Sequence, residues 1–183
     1  MSPGATLRPA GPEDARGIAE AHIDGWRWGY RNILPAEVLD ALSVEDREAI
    51  WLGALRQPVE GAHRFVAIED GRVVGFVSCG PADDDFAPPP PDAAEVHALY
   101  VREAAVGRGL GRALLGQATD AMRHDGVDLA VLWVFEANDR ARRLYGAAGW
   151  RPDGTLGEHR FHGGTRPVLR YARDLRSDRP RPG

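Results

Sequence analysis

The chain has 183 residues, of which 43% are hydrophobic and 27% charged, a composition typical of a globular protein that forms one domain with a sizeable core. Its net charge of −4 gives no reason to expect nucleic-acid or membrane-surface binding, and no apolar run approaches the ~20 residues of a membrane span. The single cysteine, Cys79, excludes an intrachain disulfide. We expect a cytoplasmic protein without a signal peptide, a nucleic-acid partner or a membrane partner.

All 23 basic residues are arginines, so the chain contains no lysine. This excludes a lysine nucleophile or Schiff base. It also excludes a phosphate-binding loop of the GxxxxGK[ST] type, whose lysine contacts the phosphates.

The first half of the chain predicts a short strand, three helical segments and a β-hairpin. Apolar residues recur at helical spacing in the helical segments, and the pattern then changes to the period of two that is typical of strands. Asp70-Gly71 between the two hairpin strands is a common hairpin turn. The predicted strands are residues 5–9, 64–69 and 72–79, and the helical segments are residues 12–30, 35–42 and 45–55.

The second half predicts alternating strands and helices after a loop rich in proline and acidic residues. Asn138 is a good N-cap for the last helix, and Gly149 follows its end. This order predicts an α/β fold: a mixed sheet, parallel in its centre and flanked by helices on both faces. We expect one domain over residues 1–175 and a polar tail at 176–183. The loop is residues 81–95, the strands are residues 95–101 and 129–135 with two short ones around Trp150 and at 166–171, and the helices run to His124 and over 138–148.

Residues 106–115, VGRGLGRALL, place three glycines and two arginines between a predicted strand and a predicted helix. Backbone N–H groups converge at such a helix N-terminus, where the helix dipole adds partial positive charge. Glycines let phosphate oxygens approach the main chain without meeting a Cβ. The segment, with Arg108 and Arg112, predicts a phosphate site; the alternative is a tight turn with two solvated arginines.

A dinucleotide is the rival ligand for this loop. Glu136 closes the following strand, near the place of a ribose-binding acid. The dinucleotide fingerprint GxGxxG, however, requires a third glycine where this chain has Arg112, and it usually opens a domain. We therefore favour a different ligand that carries phosphate.

A second interpretation accounts for more of the sequence, because residues 95–150 resemble the GNAT superfamily of acetyl-CoA-dependent N-acetyltransferases. The family's pyrophosphate motif, Arg/Gln-x-x-Gly-x-Gly/Ala, aligns with residues 106–111; the strand LYV precedes it, and NDRARRLYGAAGW follows it. Val106 departs from the motif, which usually has Arg or Gln there, and this bears on cofactor affinity. The resemblance implies a single-domain GNAT-like fold with acetyl-CoA as co-substrate.

The resemblance also implies which residues bind the cofactor. In the family, the acetyl oxygen and the pantetheine amides bind the backbone of the strand before the glycine loop, and an asparagine of the later helix contacts the cofactor arm. Carried over to this chain, the cofactor-binding residues are Leu99, Tyr100, Val101, Val106, Gly107, Arg108, Gly109, Leu110, Gly111, Arg112 and Asn138.

Acetyl transfer to an amine is helped by an acid that protonates the leaving thiolate, and Tyr145 is the candidate. It lies two helical turns after Asn138, so both side chains share one helix face, and the family's tyrosine lies beside the thioester sulfur. A phenol of pKa ~10 can protonate a thiolate of pKa ~8.5 at modest cost. The alternative is a tyrosine that only packs between helix and sheet.

The attacking amine must also lose a proton, and Glu95, acting through a water molecule, is our preferred base. Some family members use a carboxylate on this strand, and others place it on the next strand, where this chain has Trp133. A solvated strand end is the alternative role for Glu95. His97, two residues on and therefore on the same strand face, is better explained as a hydrogen-bonded structural residue.

Two further candidates carry less weight. His159 and His162 lie near Glu158 but lack a third convincing ligand, so we expect no metal site. Cys79 has no nearby base in the sequence, which favours a buried strand cysteine over an acyl-carrying nucleophile.

The acceptor is expected to be a small molecule that bears a primary amine, although a protein amine stays open, and so does a homodimer. Trp26 and Tyr30 lie one helical turn apart. They either form the base of an acceptor pocket or belong to the core. The acidic residues 83–85 either attract a cationic amine or are simply solvated. A non-catalytic acyl-CoA-binding module of the same fold is the alternative function; Val106 and Trp133 favour it, and Asn138 and Tyr145 oppose it.

Overall fold

The computed structural model describes residues 4–176, so the predicted tail lies, beyond Arg176, outside the described residues. Within them, seven strands form one sheet in the order β1-β2-β3-β4-β5-β7-β6. Only the central pair, β4 and β5, is parallel, as the sequence predicts. The strands are β1 Thr6–Pro9, β2 His63–Glu69, β3 Arg72–Pro81, β4 Ala94–Val101, β5 Leu129–Phe135, β6 Arg151–Phe161 and β7 Gly164–Asp174.

Helices cover both faces of the sheet, which confirms the predicted α/β class. On one face, α1 and α3 pack over Val66 and Phe76. On the other, α4 and α5 pack over a larger core that includes Val77 and Leu132. The helices are α1 Ala15–Gly29, α2 Ala36–Asp40, α3 Val44–Arg56, α4 Leu110–His124 and α5 Asp139–Ala147, with short 3-10 turns at Pro12–Asp14 and Glu103–Ala105.

The hairpin turn and the caps of α5 form where the sequence predicts them. The β2–β3 turn has positive φ at both Asp70 (48°) and Gly71 (73°), the conformation that this hairpin turn requires. Asn138 caps α5, because its side chain accepts a hydrogen bond from the backbone N–H of Ala141 at 3.1 Å. Gly149 follows the end of α5 with φ 87°, which confirms it as the glycine that terminates the helix.

The prediction of two short C-terminal strands is wrong. Both β6 and β7 have 11 residues, and Trp150 precedes β6 instead of lying in it. Pro152, Gly154 and Pro167 interrupt the strand pattern in the sequence. The structure accommodates the first two on the sheet edge, where the β6–β7 register shifts between Pro152 and Leu156.

The two central strands separate and open a wedge. β4 and β5 pair only at Ala94–Ala130 and Glu95–Val131, although both continue further. A β-bulge at His97 lies just after the last of these pairs, because Ser78 pairs with Ala98 while Cys79 pairs with Val96. The chain therefore provides an opening at the carboxyl ends of its two parallel strands, where ligands of α/β sheets bind.

Helix α1 comes unusually close to the wedge at Gly25. A Cβ at this position would lie 2.9 Å from Cβ of Tyr100 on β4, so only glycine permits this approach without a shift of the tyrosine. The C-terminal end of α1 thus forms one wall of the opening.

Candidate active site

A cavity of about 400 Å³ lies at the open end of the wedge. Its walls come from β4, β5, the end of α1, the glycine loop and α5. All predicted site residues except Arg108 and Glu95 line it. The structure therefore brings together residues from four separate segments of the chain. The order of the motifs in the sequence predicts this convergence.

The glycine loop presents an open backbone to this cavity. Gly107 and Gly109 both have φ 82°, and Gly109 is the N-cap of the 15-residue helix α4. A Cβ at Gly107 would meet nothing within 4 Å. The first N–H groups of α4 have no partner within the helix, so together with Arg112 they form an anion-binding arrangement.

Val106, the departure from the family motif, lines the cavity but donates its backbone N–H elsewhere. The acceptor is the carbonyl oxygen of Glu103, at 3.2 Å. In this arrangement neither the side chain nor the N–H of Val106 offers a hydrogen bond to a phosphate.

Arg108 points away from the cavity toward the β2–β3 hairpin. Its guanidinium forms an ion pair with Glu69, with one contact of 2.8 Å from Nη1 to Oε2. The ion pair ties the glycine loop to the end of β2. Arg112 is therefore the arginine of this loop that is placed to contact a ligand in the cavity.

Tyr145 lies in the cavity wall on the same face of α5 as Asn138. Its side chain is buried in the core shared with α4. Burial, and then the neighbouring Tyr100, raise the pKa of Tyr145 above its ordinary value of 10.0. The phenol is therefore protonated at neutral pH, as a proton donor must be.

Glu95 is buried at the start of β4, only 5% exposed, and it is not among the residues that line the cavity. Among the described residues, its Oε2 has no hydrogen-bond partner. Burial raises its pKa to about 8, and the nearby carboxylate of Asp83 adds to the shift. Glu95 is paired with Val131, so it lies on the same sheet face as Trp133, which does line the cavity.

His97 lies beside Glu95, and its side chain already has a hydrogen-bond partner. Polar atoms of Asp83, Glu95 and His97 lie within 4.8 Å of one another. Nε2 of His97 is 3.1 Å from the carbonyl oxygen of Pro81, which fits a hydrogen-bonded structural residue. Asp85 and Arg170 also contribute to the electrostatic field at Glu95.

The other candidate residues have structural surroundings. His159 packs against Trp26, Phe86 and Phe135, and residues 4–176 show no metal cluster around it. Cys79 is 1% exposed, and burial raises its pKa to about 12, so the thiol is not ionised at neutral pH.

The acceptor side contains residues whose role the sequence left open. Tyr30 lines the cavity, whereas Trp26 packs beside it in an aromatic cluster. Asp83, Asp84 and Asp85 do not line the cavity. Their loop instead places Phe86 against Trp133, with ring centroids 5.2 Å apart.

Sequence reasoning missed a contact that bridges the wedge. The guanidinium carbon of Arg140 on α5 lies 4.0 Å from the ring centroid of Trp28 on α1, and both residues line the cavity. Such cation–π stacking joins the two walls of the opening. Nothing in the local sequence around Trp28 or Arg140 indicates that the two side chains meet.

In the described part of the chain, no helix combines the length and apolar character needed to cross a membrane.

Comparisons with known proteins agree with the fold. The sequence model of the acetyltransferase (GNAT) family matches residues 24–150. N-acetyltransferase YuaI of Bacillus subtilis (strain 168) is 33% identical over 134 residues, 73% of each chain. The PaiA N-acetyltransferase from Thermoplasma acidophilum, solved in complex with coenzyme A, has a TM-score of 0.70 at 19% identity and covers 93% of this chain and 98% of its own. YncA from Salmonella typhimurium, solved with its cofactor acetyl-CoA, has a TM-score of 0.70 at 22% identity over 98% of each chain. These structures confirm the predicted GNAT-like fold.

Proposed function

The chain belongs to the GNAT family of acetyltransferases, and we propose that it transfers the acetyl group of acetyl-CoA to the primary amine of a small molecule, by direct attack in a ternary complex. This proposal rests on one cavity with three features. It contains the N-terminus of α4, which can bind an anion, the wedge between β4 and β5, and the buried Tyr145. A volume of about 400 Å³ is in the range of sites for small ligands.

The residues present fit acetyl-CoA, which supplies the activated thioester when bound. The loop from Gly107 to Gly111, with Arg112, offers N–H groups and positive charge for the pyrophosphate. The β5-facing backbone of Leu99, Tyr100 and Val101 has no strand partner, because β4 and β5 pair only at their first residues. It is therefore free to bind the pantetheine amides and the acetyl oxygen.

Two side chains handle the protons in this proposal. Tyr145, whose buried phenol is protonated at neutral pH, donates its proton to the thiolate that leaves. Glu95 accepts the proton of the amine through a water molecule, since it does not itself line the cavity. A pKa of about 8 makes Glu95 a stronger base than an ordinary carboxylate, and the ionised fraction grows as the pH approaches that value.

The acceptor side favours a small molecule over a protein segment. Phe86 covers Trp133 on one side, and Trp28 with Arg140 bridges the walls on the other. These contacts restrict the room for an extended chain around the amine.

The Tyr145→Phe variant tests the assignment of the acid. We expect kcat to fall roughly 100-fold, the range of general acid catalysis, because the thiolate leaves unprotonated. The affinity for acetyl-CoA, measured by the thermal shift, should not change, because the ring remains. The matched control is Tyr171→Phe, a tyrosine that does not line the cavity. A Tyr145→Phe enzyme with wild-type kcat would show that this phenol is not the acid.

A further inference from the structure

Three of the four tyrosines of the chain line the cavity, and two of them share a hydrogen bond. The hydroxyl oxygens of Tyr30, just after α1, and Tyr100, on β4, lie 3.1 Å apart. Tyr145 belongs to the core on the α4 side, whereas Tyr100 packs with the core on the α1 side. The hydroxyl pair and the acid thus approach the wedge from opposite faces of the sheet.

The pair is neutral and has hydrogen-bonding capacity left. Burial raises the pKa of both Tyr30 and Tyr100 above the ordinary 10.0, so both phenols are protonated. A hydroxyl group has one donor and two acceptor positions, and the mutual bond uses only one donor and one acceptor. The side-chain N–H of Trp26 also faces the Tyr100 hydroxyl, so one O–H and two lone pairs remain for a ligand.

The cavity wall offers an amine no carboxylate. Among the described residues that line it, the charged side chains are Arg31, Arg112 and Arg140, and none is acidic. An ammonium ion would find no counterion there, whereas a neutral amine can donate its N–H bonds to the phenol oxygens and keep its lone pair for the attack. The surroundings of Tyr30 are aromatic, with Phe135 at 4.9 Å and Trp26 at 5.2 Å between ring centroids.

The position of the pair is firmly held. The ring of His22 stacks on Tyr100 at 4.7 Å, and Nε1 of Trp51 donates to Nδ1 of His22 at 3.2 Å. Gly25 brings α1 against Tyr100 without room for a side chain. Such support from packed neighbours keeps a binding group in a productive geometry.

We propose that the Tyr30–Tyr100 hydroxyl pair binds the amino nitrogen of the acceptor in its neutral form, and that the acceptors are amines with an apolar body. This inference rests on the proposed function and specifies its acceptor site. Tyr100 lies between Leu99 and Val101, whose backbone is assigned to the acetyl group, so the pair is adjacent to the place where the new C–N bond forms.

The test uses 2-phenylethylamine as the probe, at saturating acetyl-CoA, with the variants Tyr30→Phe, Tyr100→Phe and the double variant. Loss of one neutral hydrogen bond corresponds to a fall of about 3- to 10-fold in kcat/KM for the amine. We expect each single variant to show this fall, and the double variant to lose no more than the worse single, because either change destroys the pair. Tyr171→Phe is the matched control.

Two readouts separate this role from a structural one. The thermal shift with acetyl-CoA, and the slow hydrolysis of acetyl-CoA without amine, should be the same in Tyr30→Phe, which is not assigned to the cofactor, as in the wild type and in Tyr171→Phe. The proposal is overturned by unchanged kcat/KM in both single variants, by losses that multiply in the double variant, or by a wild-type enzyme that acetylates other amines but not 2-phenylethylamine. Absence of both acetyl-CoA binding and CoA release with any amine would instead contradict the proposed function itself.

Discussion

Glu95 shows how the surroundings of one side chain set its chemistry. The carboxylate is 5% exposed, and one of its oxygens is without a partner among the described residues. It faces Asp83 and Asp85 from the loop after β3, His97 from its own strand and Arg170 from β7. Burial and the two acidic neighbours outweigh the backbone hydrogen bond from Asp83 and the charge of Arg170, so the pKa rises from 4.5 to about 8.

This shift makes the stability of the protein depend on pH through Glu95. Between about pH 4.5 and about pH 8 the folded protein keeps a proton that the unfolded chain releases. The free energy of unfolding therefore falls as the pH rises through this window. Glu95→Gln removes the dependence, so the variant should gain stability over the wild type by a few kcal/mol toward pH 8, at ~1.4 kcal/mol per pKa unit. Chemical denaturation across the window measures the difference.

The low-pH end of the same series is the internal control, since wild-type Glu95 is protonated there in the folded protein. A stability difference that stays constant from about pH 4.5 to about pH 8 would contradict the buried, proton-holding carboxylate. The rate offers a second readout: kcat at saturating amine should rise toward about pH 8 in the wild type, and Glu95→Gln should lose this limb.

At the scale of elements, the assignment of acetyl-CoA as the cofactor rests on the start of α4. Gly109 caps the helix with φ 82°, and the first N–H groups of α4 open onto the cavity beside Arg112. The helix has 15 residues, so its dipole is fully developed at this end. In the proposed site, backbone N–H groups bind the phosphates, and no side chain is needed at the glycine positions.

Gly109→Asp should abolish the binding of acetyl-CoA. The change adds a negative charge where the phosphates are assigned, and it forces an L residue into a left-handed conformation. The matched control is Gly116→Asp, which adds the same charge later in α4, outside the cavity, where a Cβ meets nothing within 4 Å. Isothermal titration of both variants with acetyl-CoA makes the comparison. Wild-type affinity in Gly109→Asp would refute the phosphate assignment.

Elements with local sequence signals were predictable, and those that depend on distant partners were not. Strand β5 and the cap of α5 follow from an apolar run and from Asn138. The full length of β6 and β7 was missed, because prolines and glycines weaken the strand pattern and pairing across the sheet overrides it. The bulge at His97 is likewise set by the register against β3, which has no mark in the local sequence.

At the scale of the whole molecule, the site exists only because four segments converge on the wedge between β4 and β5. The sequence indicated the glycine loop, Asn138 and Tyr145, since these form motifs with fixed spacing. It gave no sign of the Arg140–Trp28 bridge or the Tyr30–Tyr100 hydrogen bond, because each joins residues far apart in the chain. Contacts of this kind depend on the tertiary fold.

The central claim is that this cavity binds acetyl-CoA, and the thermal stability of the purified protein with acetyl-CoA, CoA or NAD tests it most directly. A ligand at ~100 times its dissociation constant stabilises the folded state by roughly 2.7 kcal/mol, a rise of several degrees in Tm for a chain of this length. We expect a rise with acetyl-CoA, alone or together with CoA, and none with NAD. A rise with NAD alone would mean that the glycine loop holds a dinucleotide, and it would contradict the account.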